Sequence, residues 1–311
     1  MKKIILIIVI GILHQHLFSQ DALKEKYNLM PWPHEISENN TPFKIDEKLT
    51  ISIVGEDLKR RVTNASVSFL RRLANRTGIF IDVGFPVDQK QTSIKISFDT
   101  VSSLTIESDE TYSLQVKENS VLIKAKTDVG ALRGLETLLQ LVNFNQNGYY
   151  FEGVEIKDSP RFVWRGLMID AARHFQPIAV LKRNLNAMAS VKLNVFHWHL
   201  TDDQGFRVES KVYPRLQEKA SDGLFYTQEQ VKEVVKYASN LGIRVIPEFD
   251  VPGHSTAILT AYPELGSKEG MNYSIERFSG IFDPTLNPSK EATYTFLENL
   301  FTEITPLFPD E

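Results

Sequence analysis

The segment FHWHLTDDQGFR, residues 196–207, carries two histidines two positions apart and two aspartates shortly after them. Imidazole and carboxylate groups can bind a divalent metal ion, act as a catalytic acid and base, or hydrogen-bond to the hydroxyl groups of a sugar. Residues two apart on a strand share a face, so we expect His197 and His199 to point the same way. Which of these three chemistries applies depends on where the strands and helices of the fold place these side chains.

The second half of the chain, residues 159–311, alternates predicted strands with predicted helices. Short apolar runs predict three strands, over 165–170, 194–200 and 244–250. Apolar residues at helical spacing predict three helices, one beginning at Pro177, one at the capping-box pattern Thr227–Gln230, and one over 291–304. This alternation predicts a parallel sheet, either doubly wound or closed into a barrel.

In both architectures, functional groups collect at the carboxyl ends of the parallel strands. Each predicted strand ends in polar residues. They are Asp170, Arg173 and His174 after the first strand, His197, His199, Asp202 and Asp203 on or after the second, and Glu248, Asp250 and His254 on or after the third. Three strands that deliver charged groups to one edge predict a functional site there.

A metal site at this edge would use His197, His199, Asp250 and His254 as ligands. No further cluster of histidine or cysteine completes a closed ligand set, so we predict neither a metal nor another cofactor. The mixture of hydrogen-bonding groups with Phe206 and Tyr213 is typical of a sugar-binding site. Trp198 has the opposite strand parity to the histidines, and we expect it to pack against helices.

The first half, residues 20–158, is predicted to be an α+β domain. Its predicted strands cover 49–53, 93–98, 112–116 and 121–125, and its predicted helices cover 62–74 and 129–144. We find no catalytic cluster in it. Lys157–Pro160 interrupts the pattern and predicts the domain boundary.

Composition narrows the class of protein. The net charge of −4 and the absence of a long basic run beyond Lys59–Arg61, interpreted as a solvated helix face, give no support to a nucleic acid partner. Residues 1–19 place two lysines before an apolar run, which is typical of a secretory signal peptide, with an uncleaved membrane anchor as the alternative. We therefore expect export to the periplasm or the extracellular space, and no stable membrane span after signal removal. Cysteine is absent, so disulfides cannot contribute.

Three motifs resemble one family. RGLMIDAARHF (165–175), KLNVFHWHLTDDQGFR (192–207) and IPEFDVPGHS (246–255) are similar, in this order, to the first three strand signatures of family 20 glycoside hydrolases, the exo-acting β-N-acetylhexosaminidases. The resemblance implies an α+β N-terminal domain followed by a (β/α)8 TIM-type barrel. It also implies removal of terminal β-linked N-acetylglucosamine or N-acetylgalactosamine from glycans with retention, the nucleophile being the acetamido oxygen of the substrate.

Site roles follow from the same resemblance. Arg173 would clamp hydroxyl groups of the terminal sugar. Asp202 and His254 would form a hydrogen-bonded relay that tunes the catalytic acid, a glutamate. Asp250 would support that network. The histidines on the second strand would be hydrogen-bonded residues of the barrel interior.

The sequence departs from the family pattern at one point. The family's acidic pair belongs to a Gly-Gly-Asp-Glu stretch at the fourth strand, and this sequence has no such stretch. Asp310-Glu311 follows the third helix directly, so we expect it in an exposed loop at the opposite face of the barrel.

Only about the first three of eight strand–helix units are recognisable. We therefore expect the chain to be the N-terminal part of a longer enzyme and to be inactive alone. Two alternatives stay open: a carbohydrate-binding protein without catalysis, and a metal-dependent barrel hydrolase that uses His197, His199 and Asp250.

Overall fold

The structure is a computed structural model that describes residues 22–82 and 92–310. The segment 1–19, predicted to be a signal peptide, lies outside the described residues, as does Glu311. The described chain divides into two compact units. The first comprises the residues up to Val101 together with Asp109–Arg161, and the second comprises Ser102–Ser108 together with the residues from Phe162 onward.

The first unit contains nine strands and two long helices among its described residues. In chain order they are β1 (Glu35–Glu38), β2 (Phe43–Lys44), β3 (Ile51–Val54), α1 (Arg61–Thr77), β4 (Ile94–Thr100), β5 (Tyr112–Lys117), β6 (Ser120–Thr127), α2 (Asp128–Gln140), β7 (Val142–Asn145), β8 (Gly148–Phe151) and β9 (Val154–Asp158). Six strands form one sheet in the order β1-β9-β5-β6-β4-β3, in which β3, β4 and β6 run parallel and the other pairings are antiparallel. The strands β2, β8 and β7 form a small antiparallel sheet.

One face of the large sheet is apolar. Ile94, Ile96 and Phe98 alternate with polar residues along β4, and all three are buried in a core that includes Phe69 and Leu73 of α1. The predicted helix 129–144 is too long. It ends at Gln140, and Val142–Asn145 forms β7 instead, because the turn at Asn145–Gly148 lets this segment pair with β8.

Two buried ion pairs lie in the first unit. The Arg61 guanidinium lies 2.9 Å from the Asp128 carboxylate at the start of α2, and both side chains are at most 1% exposed. The Arg133 Nε atom lies 2.6 Å from the Glu110 carboxylate, which is also buried. The interpretation of Lys59–Arg61 as a solvated face is therefore wrong for Arg61, since its buried partner lies 67 residues further along the chain.

The second unit contains the predicted strand–helix alternation. Its elements are β10 (Gly166–Asp170), α3 (Ile178–Ser190), β11 (Val195–Asp202), β12 (Gly205–Phe206), α4 (Arg215–Lys219), α5 (Gln228–Asn240), β13 (Arg244–Phe249), α6 (Thr256–Ala261) and α7 (Glu291–Ile304). The strand β11 is central and runs parallel to β10 on one side and to β13 on the other, while β12 turns back against the end of β11. Within the described residues this sheet is open.

Side chains of β11 divide between its two faces. Phe196, Trp198 and Leu200 are fully buried in a core shared with Leu185 of α3 and Val234 of α5. The predicted packing of Trp198 against the helix side is thus confirmed. His197 and His199 occupy the alternate positions on the strand. Across the described parts of both units, the helices are too short or too polar to span a membrane.

Candidate active site

Strand register brings polar groups from three strands to one end of the second unit. Asp170 of β10 lies opposite His199 of β11, and His199 in turn lies opposite Glu248 of β13. The strands are parallel, so their carboxyl ends meet at one edge. The loops that follow β10 and β13 add Arg173 and His254 to the same edge.

The Asp202 carboxylate is the centre of this arrangement. Its Oδ2 atom lies 2.5 Å from Nη2 of Arg173, and its Oδ1 atom lies 3.0 Å from Nδ1 of His254. The Asp202 side chain is fully buried. Burial raises the pKa of Asp202, although the backbone N–H of Asp203 and the charges of Arg173 and His254 oppose this shift. The structure therefore brings together the three residues that the resemblance links.

Arg173 is shared between two acids. Its Nη1 atom donates to Asp170 Oδ2 at 2.9 Å, and its backbone N–H donates to Asp170 Oδ1 at 2.9 Å. Burial opposes the charged forms of both groups, but hydrogen bonds from His199 and Arg173 hold the pKa of Asp170 well below its usual range. Two carboxylates fix the orientation of the Arg173 guanidinium. Because 30% of the side chain is exposed, a ligand can still reach it.

His254 is held by two carboxylates through one nitrogen. Its Nδ1 atom lies 3.0 Å from Asp202 Oδ1 and 3.2 Å from Asp203 Oδ2. An ionised carboxylate only accepts hydrogen bonds, so Nδ1 carries the proton in both charge states of the ring, and Nε2 is the atom that exchanges a proton.

The backbone around His254 fixes this orientation. His254 has a φ of 50°, the left-handed conformation that non-glycine residues rarely adopt. The Asp203 carboxylate accepts hydrogen bonds from the backbone N–H and the hydroxyl of Thr256, at the start of α6. These contacts tie the turn that carries His254 to the end of β11.

His199 is buried among acids. Its Nδ1 atom lies 3.1 Å from Asp170 Oδ1, and its Nε2 atom lies 3.5 Å from Asp250 Oδ2 and 3.7 Å from Asp202 Oδ2. Burial favours the neutral imidazole, yet the hydrogen bond with Asp170 and the charges of the surrounding acids raise the pKa of His199 above its ordinary value. From the sequence, His199 was expected to be a hydrogen-bonded interior residue or, in the metal-dependent alternative, a ligand. Its strand parity with His197 was the available signal.

His197 and Glu248 form a separate pair on the same face. Nε2 of His197 lies 2.6 Å from Glu248 Oε2, and about a third of each side chain is exposed. His197 lies two residues before His199 on β11, and Glu248 lies opposite His199 on β13. Both β11 histidines thus contact carboxylates, His199 in the interior and His197 in a partly exposed position.

A buried arginine braces the site. The Arg207 guanidinium donates to the backbone carbonyls of Ala172, Gln204, Ser221 and Leu224. A Cβ atom at Gly205 would lie 2.2 Å from this guanidinium, so a glycine is needed at the start of β12. Arg207 therefore connects the loop that carries Arg173 to the turn that follows Asp202.

Two sets of side chains are compact enough to hold a metal ion: His199 with Asp202 and Asp250, and Asp202 with Asp203 and His254. Both sets depend on Asp202, whose two oxygens already contact the Arg173 guanidinium and the His254 imidazole. A fixed guanidinium 2.5 Å from a ligand atom repels a divalent cation. The ligand set His197, His199 and Asp250 is not brought together, since His197 pairs with Glu248.

Two expectations about the site need correction. Phe206 is fully buried against Phe249, and Tyr213 packs among Tyr262 and Phe296, so neither offers a ring face to a sugar at this edge. Hydrophobic burial determined their positions. Asp310 follows α7 outside any helix or strand, as expected, but it is half-buried rather than exposed.

Comparison with known proteins identifies the family. The model of the glycosyl hydrolase family 20 catalytic domain matches residues 162–311, and the model of domain 2 of the same family matches residues 26–159. This chain therefore belongs to glycoside hydrolase family 20. It combines the N-terminal domain of that family with a catalytic domain of the TIM-barrel type.

Individual curated relatives are named as β-hexosaminidases. The chain is 36% identical to a β-hexosaminidase of Porphyromonas gingivalis over 91% of its own length and 37% of that protein. It is also 36% identical to β-hexosaminidase subunit A2 of Dictyostelium discoideum, over 99% of its own length and 56% of that protein. The chain thus spans between about a third and somewhat over half of these curated relatives.

Solved structures agree with this assignment. The crystal structure of a Flavobacterium johnsoniae chitobiase superposes with a TM-score of 0.88 at 51% identity, covering 92% of this chain and 44% of that chain. A Vibrio harveyi exo-β-N-acetylglucosaminidase in complex with N-acetylglucosamine superposes with a TM-score of 0.74 at 31% identity, covering 91% of this chain and 45% of that chain.

Proposed function

We propose that this chain provides the sugar-binding arginine and the proton relay of an exo-acting β-N-acetylhexosaminidase. The enzyme would remove terminal β-linked N-acetylglucosamine or N-acetylgalactosamine from glycans. One observation carries the proposal: a single buried carboxylate, Asp202, contacts Arg173 through one oxygen and His254 through the other. The relatives named β-hexosaminidase support it.

Arg173 would bind the terminal sugar. Its guanidinium is already oriented by Asp170 and Asp202, so little side-chain entropy is lost when it donates to sugar hydroxyls. A sugar held in this way presents its acetamido oxygen to the anomeric carbon. That oxygen attacks from the face opposite the leaving group, whose bond to the anomeric carbon breaks as the leaving oxygen is protonated. Water later attacks from the face that the leaving group vacated and breaks the bond to the acetamido oxygen, so two inversions give retention.

Asp202 and His254 would tune the group that protonates the leaving oxygen. Asp202 keeps the proton of His254 on Nδ1, which leaves Nε2 to exchange a proton with the acid glutamate. When the glutamate has given up its proton, the imidazole can carry a positive charge that Asp202 stabilises. Asp250 would support this network through its contact with His199.

The glutamate itself belongs to the Gly-Gly-Asp-Glu stretch that the printed sequence does not contain. We propose that sequence beyond Glu311 supplies this stretch and the strands that complete the barrel, so that these residues hold about the first three strand–helix units. The coverage of 37% and 56% of the curated relatives supports this proposal.

Export is also proposed, on the strength of residues 1–19, with cleavage after the apolar run and a periplasmic or extracellular destination. Fractionation of the producing cell followed by N-terminal sequencing tests it. A mature protein that begins near residue 20 outside the cytoplasm supports the proposal, and an intact Met1 in the cytoplasm contradicts it.

The activity is tested with protein expressed from the reading frame continued to its stop codon. We expect hydrolysis of a chromogenic N-acetylglucosaminide, a fall in kcat/KM of about 10²-fold or more for Arg173→Ala, and unchanged activity for the control His34→Asn in the first unit. The 311-residue chain should show no turnover.

Each rival function predicts a different result. Saturable binding of N-acetylglucosamine without turnover by the continued protein would favour a non-catalytic sugar-binding protein. Loss of turnover with a chelator, restored by a divalent ion, would favour the metal-dependent hydrolase. Full activity of the Arg173→Ala variant would contradict the assignment of Arg173 as the residue that binds the terminal sugar.

A further inference from the structure

His199 is a buried histidine that contacts acids from all three parallel strands. Its side chain is 2% exposed. One ring nitrogen lies 3.1 Å from Asp170 of β10, and the other lies within 3.7 Å of Asp202 of β11 and 3.5 Å of Asp250, which directly follows β13. Both nitrogens therefore face carboxylates at ion-pair distance. Negative charge on both sides of the ring favours its imidazolium form.

Charge in this part of the site is unevenly distributed. Arg173 is shared between Asp170 and Asp202, and His254 is shared between Asp202 and Asp203. Among the ion pairs of the described residues, Asp250 has His199 as its partner. Without a cation at position 199, several carboxylates would face one another with Arg173 as their main counter-charge.

We infer that His199 is a positioning residue whose imidazolium keeps Asp202 ionised, so that Asp202 can hold His254 in its working tautomer. This inference rests on the proposed function, because it gives His199 a part in the relay. His199 itself acts through Asp202 and does not touch the reacting atoms.

The physical reason is like-charge repulsion. The ligand atoms of His199, Asp202 and Asp250 all lie within 4.8 Å of one another. Two carboxylates at such a distance favour uptake of a proton by one of them. A protonated Asp202 would accept the hydrogen bond of His254 poorly and would no longer stabilise a positive charge on its ring. The imidazolium prevents this at the pH where the relay works.

The direction of the pH effect follows from the groups around the ring. Burial favours the loss of the proton, while Asp170 from β10 and Glu248 and Asp250 from β13 and its end oppose it. The Asp202 carboxylate of β11 also lies 3.7 Å from the ring. The net effect raises the pKa of His199 in the folded state. Its contribution to stability is therefore complete below the unfolded value of 6.5 and is lost as pH rises through the folded value.

The first test measures the proton directly and needs no enzyme activity. Histidine-specific ¹³C labelling of the 311-residue chain gives one titration curve for each ring by NMR, and the signal of His199 is assigned by its loss in His199→Asn. If that variant fails to fold, the signal is assigned by elimination with variants at the other six histidines, His14, His16, His34, His174, His197 and His254. We expect His199 to titrate above 6.5 and Asp250→Asn to lower its midpoint. A neutral ring at pH 6 overturns the inference, whatever the enzyme does.

The second test measures the relay in the continued protein. In His199→Asn, the acid limb of the kcat/KM profile should move to higher pH by about one unit, which is about a tenfold loss at the foot of the limb. The loss should shrink towards pH 8, and His34→Asn should leave the profile unchanged. A loss by the same factor at every pH would indicate a merely structural role and would overturn the inference.

The two proposals fail in different ways. An inactive continued protein contradicts the proposed function, while the NMR titration still decides the charge of His199. An active protein whose His199→Asn variant keeps the wild-type profile contradicts the positioning role alone.

Discussion

Buried charges are arranged differently in the two units of this protein. In the first unit they occur as matched pairs, Arg61 with Asp128 and Arg133 with Glu110, each closed off from water. In the second unit, Asp202 is shared by Arg173 and His254, and these two partners are each about a third exposed. The first arrangement leaves little capacity for a ligand. The second holds the Arg173 guanidinium and the His254 imidazole partly exposed, with their orientation fixed.

The matched buried pairs contribute to stability, whereas the shared carboxylate belongs to the candidate active site. A matched buried pair contributes to stability only while both partners are present, because the loss of one leaves an uncompensated buried charge. A shared carboxylate with exposed partners contributes less to stability, but its protonation state and its ligand contacts can change. Buried charge alone is therefore a weak sign of a site, and sharing with exposed partners is a better one.

The largest effect is expected when a matched pair is broken. Arg61→Leu leaves Asp128 buried without its guanidinium, so the free energy of unfolding should fall by about 3–5 kcal/mol. Urea denaturation measures this. Arg72→Leu on the same helix is the control, because Arg72 forms a half-exposed pair with Glu136, and its loss should cost less than about 1 kcal/mol. Equal effects of the two substitutions would contradict the distinction.

Removing the shared carboxylate should have the opposite effect on stability. Burial raises the pKa of Asp202 above its unfolded value, so the ionised carboxylate costs stability at neutral pH, and the cost disappears as pH falls. Asp202→Asn should therefore be as stable as the wild type at pH 7, or more stable by up to about 1–2 kcal/mol, while activity of the continued protein falls. The matched substitution Asp128→Asn should be strongly destabilising. A larger loss of stability in Asp202→Asn than in Asp128→Asn would reverse the comparison.

The smallest effect tests a feature that both units share. Thr227 caps α5 with a complete capping box, and Thr127 caps α2 by accepting from the backbone N–H of Gly130. Because capping is local, Thr227→Ala and Thr127→Ala should each lower the free energy of unfolding by about 1 kcal/mol. The exposed Thr295 of α7 is the control, and Thr295→Ala should change stability by less than about 0.5 kcal/mol. If only one of the two capping substitutions lowered the free energy of unfolding, the two units would also differ in how much helix capping stabilises them.

Local signals predicted much of the second unit. The capping-box pattern at Thr227 appears in the structure, and the helix predicted over 291–304 has these bounds. The three parallel strands were predicted to within about two residues at their ends. These elements were predictable because apolar periodicity and capping act within one segment of chain.

Signals that depend on distant partners were missed or misread. Strand β7 was read as the end of a helix because Leu139 and Val142 continue a helical stripe, and only pairing with β8 turns this segment into a strand. Strand β9 was missed although Val154 and Ile156 alternate with polar residues. In the site, the resemblance indicated Arg173, Asp202, His254 and Asp250. The burial of His199 among three acids depends on the register between strands, which the sequence does not encode locally.

The hydrogen bonds of Arg207 couple two segments of the candidate site mechanically. Its planar guanidinium donates to carbonyls on either side of the site, at Ala172 next to Arg173 and at Gln204 two positions after Asp202. A displacement of one segment is therefore transmitted to the other. Under the proposed function, sugar binding at Arg173 and proton transfer through Asp202 would be coupled mechanically by Arg207.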